Sequence, residues 1–404
     1  MWRFPSAIFL ALMFDQSFAV ADSQQDCVHN EDRELRIRGC TEVIQRDPGA
    51  AWAYHNRGVV YSYKRDFGRA IADLTKAIEL NPKSAASYTN RGAAYRDKGD
   101  RDRAITDLTR AIELDPKSAA AYHNRGGAYS DKGEFDRAIA DLTKAIELPP
   151  TNAASHYERG MSYARKGAFD QAITDFNKAI TLDPRFAMAY YNRGGAYSYK
   201  GDFDRAIADY TKAIEINPAY ALAYYVRAGA YQKKGDHERA IIDYTKVLEI
   251  DPKAVQVYGL RGVSYERKGD HDRAIADHTK IIQLNPKAAS AYNIRGNAYV
   301  GKGDLDLGIA DYTKATELDP RSLDAFYARG WAFRKKGNLD GAIADFAKCI
   351  EINAKDALSF ASRGSSYEMK GEADRAIADY RRALQLDPTS KPSREGLNRL
   401  GVSP

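Results

Sequence analysis

Apolar and small residues within 51–84 recur at helical spacing in two runs separated by a polar break. Tyr54, Gly58 and Tyr61 share one helical face. Lys64-Arg65-Asp66 interrupts that run. Ala70, Ile71, Leu74, Ala77 and Ile78 then line a second helical face. Asn81-Pro82 ends it, because proline disfavours an α conformation in the residue before it. The spacing predicts two antiparallel helices joined by a tight turn. The same pattern restarts at Ala85 and Ala119, a period of 34 residues, and continues without insertion through Ser390 as ten blocks over residues 51–390. Slots are counted here from the first residue of each block. Slot 8 is Gly58, Gly92, Gly126 and so on, with Ala228 as the exception, and slot 11 is Tyr in every block but the ninth, which has Phe333. From the second block onward the turn carries glycine, as at Gly99, which suits the left-handed position that ends a helix.

A fixed period sustained over this length means a repeat architecture. One block alone falls below the roughly 40 residues a domain needs to bury enough surface. Stacked on its neighbours it can fold, as solenoid units do.

The blocks resemble tetratricopeptide repeats, with Tyr54, Gly58, Tyr61, Ala70, Leu74, Ala77 and Pro82 in that family's consensus slots and the match covering residues 51–390. The resemblance implies an all-α, right-handed superhelical solenoid of antiparallel helix pairs. One departure is uniform: slot 7, often Leu in the family, is Arg in every block from Arg57 to Arg363, and slot 23 is Asp from Asp73 to Asp379. With the turn near slot 15, slots 7 and 23 fall at one level of the hairpin. An architectural Arg–Asp ladder along the stack follows.

Residues 1–21 read as a signal peptide, with Arg3, an apolar run over Ala7–Phe14 and the small-x-small site Ala19-Val20-Ala21. Export across an inner membrane, with residence in a periplasm, is the expectation; the run is too short for the ~20 residues a span needs. Residues 22–50 look like a degenerate first repeat, with Ile37, Val43, Ile44 and Asp47-Pro48 in register. That register puts Cys27 and Cys40 on facing helices, in reach of a disulfide staple. Cys349, at an Ala slot, is expected to be a buried, inert thiol. Residues 391–404 supply a capping helix over Ser393–Leu400 with Leu397 and Leu400 on one side.

The seven histidines form no metalloprotease pair, and no Ser-His-Asp or Cys-His arrangement has supporting context. His237 and His271 share slot 17 and read as solvated turn residues. No catalytic residue, cofactor or metal is expected, and the chain reads as non-enzymatic. A net charge of +6 over 404 residues is too diffuse for nucleic acid.

The remaining place for function is the inner face that, by the resemblance, the first helices line at slots 2, 5, 9, 12 and 13. Along the stack these slots give Trp52, His55 and Tyr63, then Tyr157, Tyr191, Tyr199 and Tyr225, then Lys233, Arg267, Tyr327, Trp331, Arg334 and Lys335. Gly127, Gly195 and Gly229 leave room at slot 9 for a ligand backbone. Tyr, Trp and Arg are the usual anchors of interfaces. The expected partner is a protein or peptide segment with aromatic contacts and some acidic character. A glycan or small ligand on the tyrosine stripe, or a self-assembling structural solenoid, are the alternatives. The oligomeric state is open. Only Asn297 fits the pattern of the family's chaperone-tail clamp, so that partner is not expected.

Overall fold

In the computed structural model, residues 23–149 and 152–403 are described; the expected signal peptide lies outside them. The described residues are almost wholly helical, without a strand. They divide into two compact units that meet in sequence at Ile216 and Asn217. The first unit contains α1 (23–29) and α2 (Arg33–Arg46), then five helix pairs. These are α3 (Ala51–Tyr63) with α4 (Phe67–Leu80), α5 (Ala85–Lys98) with α6 (Arg101–Leu114), and α7 (Ala119–Asp131) with α8 (Phe135–Glu147). Next come α9 (Ala153–Arg165) with α10 (Phe169–Leu182) and α11 (Ala187–Tyr199) with α12 (Phe203–Ile216). The second unit pairs α13 (Ala221–Lys233) with α14 (His237–Ile250), α15 (Val255–Arg267) with α16 (His271–Leu284), and α17 (Ala289–Lys302) with α18 (Leu305–Leu318). It continues with α19 (Leu323–Lys335) and α20 (Leu339–Ile352), α21 (Ala357–Lys370) and α22 (Ala373–Leu386), and ends on α23 (Lys391–Arg399).

The turns form as the spacing predicts. Gly99, Gly133, Gly167 and their equivalents to Gly371 adopt φ between 77° and 103°, and Arg65 holds the same left-handed position at φ 61° in the first block. An aspartate or serine then starts many of the helices; the Asp66 and Asp100 carboxylates accept from the backbone N–H three residues on.

Within a pair, the slot 8 glycine lets the helices approach. A Cβ on Gly194 would lie 2.8 Å from the Tyr210 ring, and one on Gly58 2.8 Å from Leu74 Cγ. Between pairs, the core is shared. Tyr61 and Ala70 of one block cluster with Ala94 of the next, and Tyr265 and Ala274 with Ala298. Slot 10, whose burial the three-residue pattern of slots 4, 8 and 11 does not reveal, is therefore an inter-repeat position. No hairpin encloses its own apolar face, which is the physical reason the fold needs stacking.

The Arg–Asp ladder is present in all ten blocks. Each guanidinium donates through Nε and Nη2 to both carboxylate oxygens of its aspartate at 2.6–2.9 Å. In most blocks the remaining Nη1 reaches backward to slot 25 of the preceding repeat: Arg91 to Thr75 at 3.0 Å, Arg261 to Thr245 at 2.9 Å, Arg295 to Thr279 at 3.1 Å; before Arg363 that slot is Ala347. The first fork reaches Thr41 at 2.9 Å, so residues 33–46 stand in register with the second helix of a repeat. The ladder thus closes each hairpin and ties most of them to their predecessors. A second, exposed ladder joins slot 14 lysines to the preceding repeat's slot 18 acids, as in Lys132 to Asp102 at 2.8 Å and Lys302 to Asp272 at 2.8 Å.

The two ends differ from the middle. Cys27 and Cys40 are disulfide-bonded and fully buried against Val43 and Ala53. At the other end α23 begins two residues earlier than expected, with Ser390 at its N-terminal boundary, and buries Leu397 against Tyr380. Arg399 pairs with both Glu368 oxygens at 2.7 and 2.8 Å, fixing the cap to α21. Cys349 is fully buried, and burial pushes its thiol up to about 11. That keeps it protonated and unreactive at neutral pH.

Candidate functional site

In the first unit, successive first helices touch one another (α3 with α5, α5 with α7, α7 with α9, α9 with α11), whereas the second helices show no comparable contact. The first helices therefore form the tighter layer. Slots 2, 5, 9 and 13, spaced three and four residues apart, make one continuous stripe on each first helix.

The slot 5 side chains are tied down more than the spacing alone suggests. The Tyr157 ring lies 5.9 Å from Phe176 and 4.8 Å from Phe186, and its hydroxyl accepts from Asn192 Nδ2 at 2.9 Å. Tyr191 packs against Tyr210 at 6.0 Å, and burial raises its phenol above the ordinary range. His55 Nδ1 sits 2.9 Å from Ser87 Oγ in the next repeat, and burial lowers its basicity. In the second unit Tyr225 packs against Tyr244 at 6.2 Å, and Tyr327 against Phe346 at 5.4 Å, with its hydroxyl 3.0 Å from Ser362 Oγ. These half-buried rings form the floor of the face.

Tyr63 and Tyr199 occupy a different place. Both end their helices. Tyr199 is 81% exposed yet stacks on Phe169 of the preceding repeat at 5.1 Å, with 8° between ring planes. Tyr63 lies beneath the Arg33 guanidinium at 5.8 Å. They mark the turn-side edge of the face, because slot 13 lies beside the start of the preceding second helix.

Gly127 does not provide the expected room. The Arg96 guanidinium lies on it, with Cζ 2.2 Å from where a Cβ would stand. Arg96 bonds Asp131 at 2.8 Å and Glu158 at 3.1 Å, and so spans three successive repeats. Beside it, His123 bonds Ser155 Oγ at 3.0 Å and burial lowers its pKa. At Gly195 and Gly229 the space is open, with no atom within 4 Å of a Cβ position.

Around these positions large apolar groups face solvent. Trp52 and Trp331 were expected. Met188 in the first unit, and Leu222 and Leu358 in the second, stand at slot 2 like Trp52 and are exposed by 49%, 58% and 54%. The signal for them was present in the shared slot. Lys335 Nζ lies 5.2 Å from the Trp331 ring centroid, Arg334 sits over Phe346 at 5.9 Å, and Lys233 and Arg267 are exposed. His237 and His271 are not solvated turn residues: both are partly buried, and the Nδ1 of each is enclosed without a hydrogen-bond partner. Among the described residues no group of three or more His, Cys, Asp or Glu could hold a metal, and no helix is long and apolar enough to cross a membrane.

Family models described as tetratricopeptide repeat or TPR repeat match residues 51–84, 74–106, 92–133, 126–167, 160–198, 187–220, 221–254, 260–319, 295–357 and 358–390. No curated protein matches the chain. Among solved structures, the C-terminal part of a TPR repeat-containing protein from Cytophaga hutchinsonii is similar at 21% identity and a TM-score of 0.53, over 60% of this chain and 99% of that one. MamA is 30% identical over 40% of this chain and 94% of its own, with a TM-score of 0.38. YrrB, titled a TPR protein with an unusual peptide-binding site, is 26% identical over 46% and 95%, with a TM-score of 0.40. With repeat models matched almost without a break between residues 51 and 390, the chain belongs to the tetratricopeptide repeat family.

Proposed function

We propose that this protein-interaction scaffold holds a segment of a partner protein against the exposed stripe of its first helices, and that it does so after export to the periplasm. The observation that carries the reading is the set of large apolar side chains left in solvent on the first helices of the second unit: Leu222 on α13, Trp331 on α19 and Leu358 on α21; the first unit exposes Met188 on α11 in the same way. Such groups, backed by rigid half-buried rings, supply the desolvated anchors an interface needs. The open backbone at Gly195 and Gly229 lets a partner's main chain come close.

The other readings have less behind them. A sugar-stacking face needs free tyrosine rings, but Tyr157, Tyr191, Tyr225 and Tyr327 are committed to neighbouring rings. End-to-end assembly needs an open apolar end, and α23 covers the last repeat with Leu397. Export is argued from the N-terminal sequence, with the Cys27–Cys40 disulfide in keeping with an oxidising compartment.

The test is capture from an envelope extract of the native host, with the bound protein identified and its binding then repeated with purified components. Leu222→Ala with Trp331→Ala should abolish that purified complex while leaving the helical content unchanged. An identified complex indifferent to both changes would remove the first-helix stripe as the site.

A further inference from the structure

At four slots of the repeat, cations are neutralised with regularity. The slot 7 arginines fork onto slot 23 aspartates, as Arg227 does with Asp243 and Arg261 with Asp277. Slot 19 arginines pair with the acid three residues earlier, as Arg239 with Asp236. Slot 26 lysines pair with slot 29 glutamates, as Lys246 with Glu249 and Lys314 with Glu317. Slot 14 lysines pair with the preceding repeat, as Lys268 with Glu238 and Lys302 with Asp272.

The slot 13 cations of the second unit break this rule. Lys233 ends α13, Arg267 ends α15 and Lys335 ends α19; all three are exposed, and none has an acidic partner among the described residues. In the intervening repeat slot 13 is Gly301, and the His271 ring fills the space beside it, 2.7 Å from a Cβ position. One edge of this face is therefore cationic in three of the unit's five repeats, the last carrying the exposed Met369 at slot 13. The opposite edge, at slot 2, and the middle, at slot 9, are apolar at Leu222, Val263, Trp331 and Leu358. The acids of the stripe do not cancel the cations. Glu266 bonds the buried His278 Nε2 at 3.2 Å, Glu368 is held by Arg399 and the Tyr380 hydroxyl, and Asp324 lies in the first turn of α19, at the far edge. The first unit contrasts with this in its slot 13 residues, which are Tyr63, Asp97, Asp131, Arg165 and Tyr199, a single cation set among two acids and two rings.

We infer that the partner segment bound by the second unit is two-sided, with an acidic edge lying along Lys233, Arg267 and Lys335 and an apolar edge lying on Leu222, Val263 and Trp331. This rests on the first-helix stripe being the binding face, and adds the chemical class and the orientation of what it binds. Charge complementarity selects the class, because three unneutralised cations on one edge favour acidic chains and repel basic ones. The apolar edge supplies the affinity, and the ring floor at Tyr225 and Tyr327 limits how deep an anchor can go.

Fluorescently labelled peptides in which glutamate pairs alternate with phenylalanine and leucine, and matched peptides with lysine replacing glutamate, test this on the full chain by anisotropy. The acidic peptide should bind and the basic one should not. Binding should weaken roughly tenfold in the Lys233→Glu, Arg267→Glu, Lys335→Glu variant, and severalfold when salt shortens the screening length from about 10 Å to about 3 Å. Leu222→Ala with Trp331→Ala should weaken it as well. Binding of both peptides alike, or no effect of the triple reversal while the apolar variant still loses binding, would overturn the acidic class and leave the stripe intact as a binding face. Binding insensitive to both sets of changes would overturn the stripe itself. These side chains are exposed, and the circular dichroism of each variant separates lost binding from lost folding.

Discussion

Breaking one fork of the ladder should cost more than exchanging both of its members. Arg193 on α11 donates to Asp209 on α12 at 2.8 and 2.6 Å, and to Asn177 of the preceding repeat at 2.5 Å. The Asp209 side chain is 8% exposed and the Arg193 side chain 19%. Removing one partner of a buried pair costs about 3–5 kcal/mol. The partial exposure of the arginine puts Asp209→Ala at the low end, about 3 kcal/mol. Arg193→Asp should cost at least as much, since it sets two carboxylates face to face. The exchange Arg193→Asp with Asp209→Arg restores opposite charges at the same level of the hairpin. It should recover at least about 1 kcal/mol relative to the sum of the single changes. Stacked repeats do not melt as one unit, so the readout should be local. Amide hydrogen exchange in α11 and α12 should accelerate in the single variants, partly recover in the exchange, and stay unchanged in α5 and α6. Strictly additive effects would show that the two groups do not act through each other, and the ladder would then be geometry without coupling.

Two adjacent glycines on α11 should respond in opposite ways. Gly194→Ala drives a Cβ into the Tyr210 ring, 2.8 Å away, and should destabilise by about 1–3 kcal/mol. Gly195→Ala meets nothing within 4 Å and should be neutral, or stabilise by up to about 1 kcal/mol through helix propensity; urea unfolding of both decides. The buried tyrosines predict an alkaline limit. Burial pushes Tyr210 up to about 12 from 10.0 and raises Tyr244 and Tyr312 further. The folded pKa lies above the unfolded one, so this stability is fully present below pH 10 and is lost as pH rises toward 12. The loss is roughly 1.4 kcal/mol per pH unit for each such group. Tyr210→Phe should flatten the fall measured by urea midpoints across that window.

The helix pairs, the left-handed glycine turns and the Arg–Asp ladder were legible because they depend on spacing within one block. Slots 7 and 23 sit at one level of any such hairpin, whatever its neighbours contain. The reach of Arg91 to Thr75, or of Arg295 to Thr279, was written in a regular threonine at slot 25, but that slot belongs to a different block from the arginine. The filling of Gly127 was illegible for a stronger reason: it depends on Arg96 and Glu158, which are 62 residues apart. The packing of the slot 5 tyrosines was not legible at their own slot, because their partners, such as Phe176 and Phe346, occupy slot 24, which is Leu only in the first three blocks. Uniform slots reveal architecture, while the variable slots that set the face take their meaning from combinations.

Because most slot 7 arginines find a threonine at the same relative position in the preceding hairpin, the joints between modules are interchangeable. Excising residues 255–288 would present Arg295 with Thr245 in place of Thr279, the same hydroxyl in the same setting. An array jointed this way can lengthen or shorten by whole units through unequal recombination without a repair mutation at the seam. Its reach along a partner is then a heritable variable that changes in steps of one hairpin.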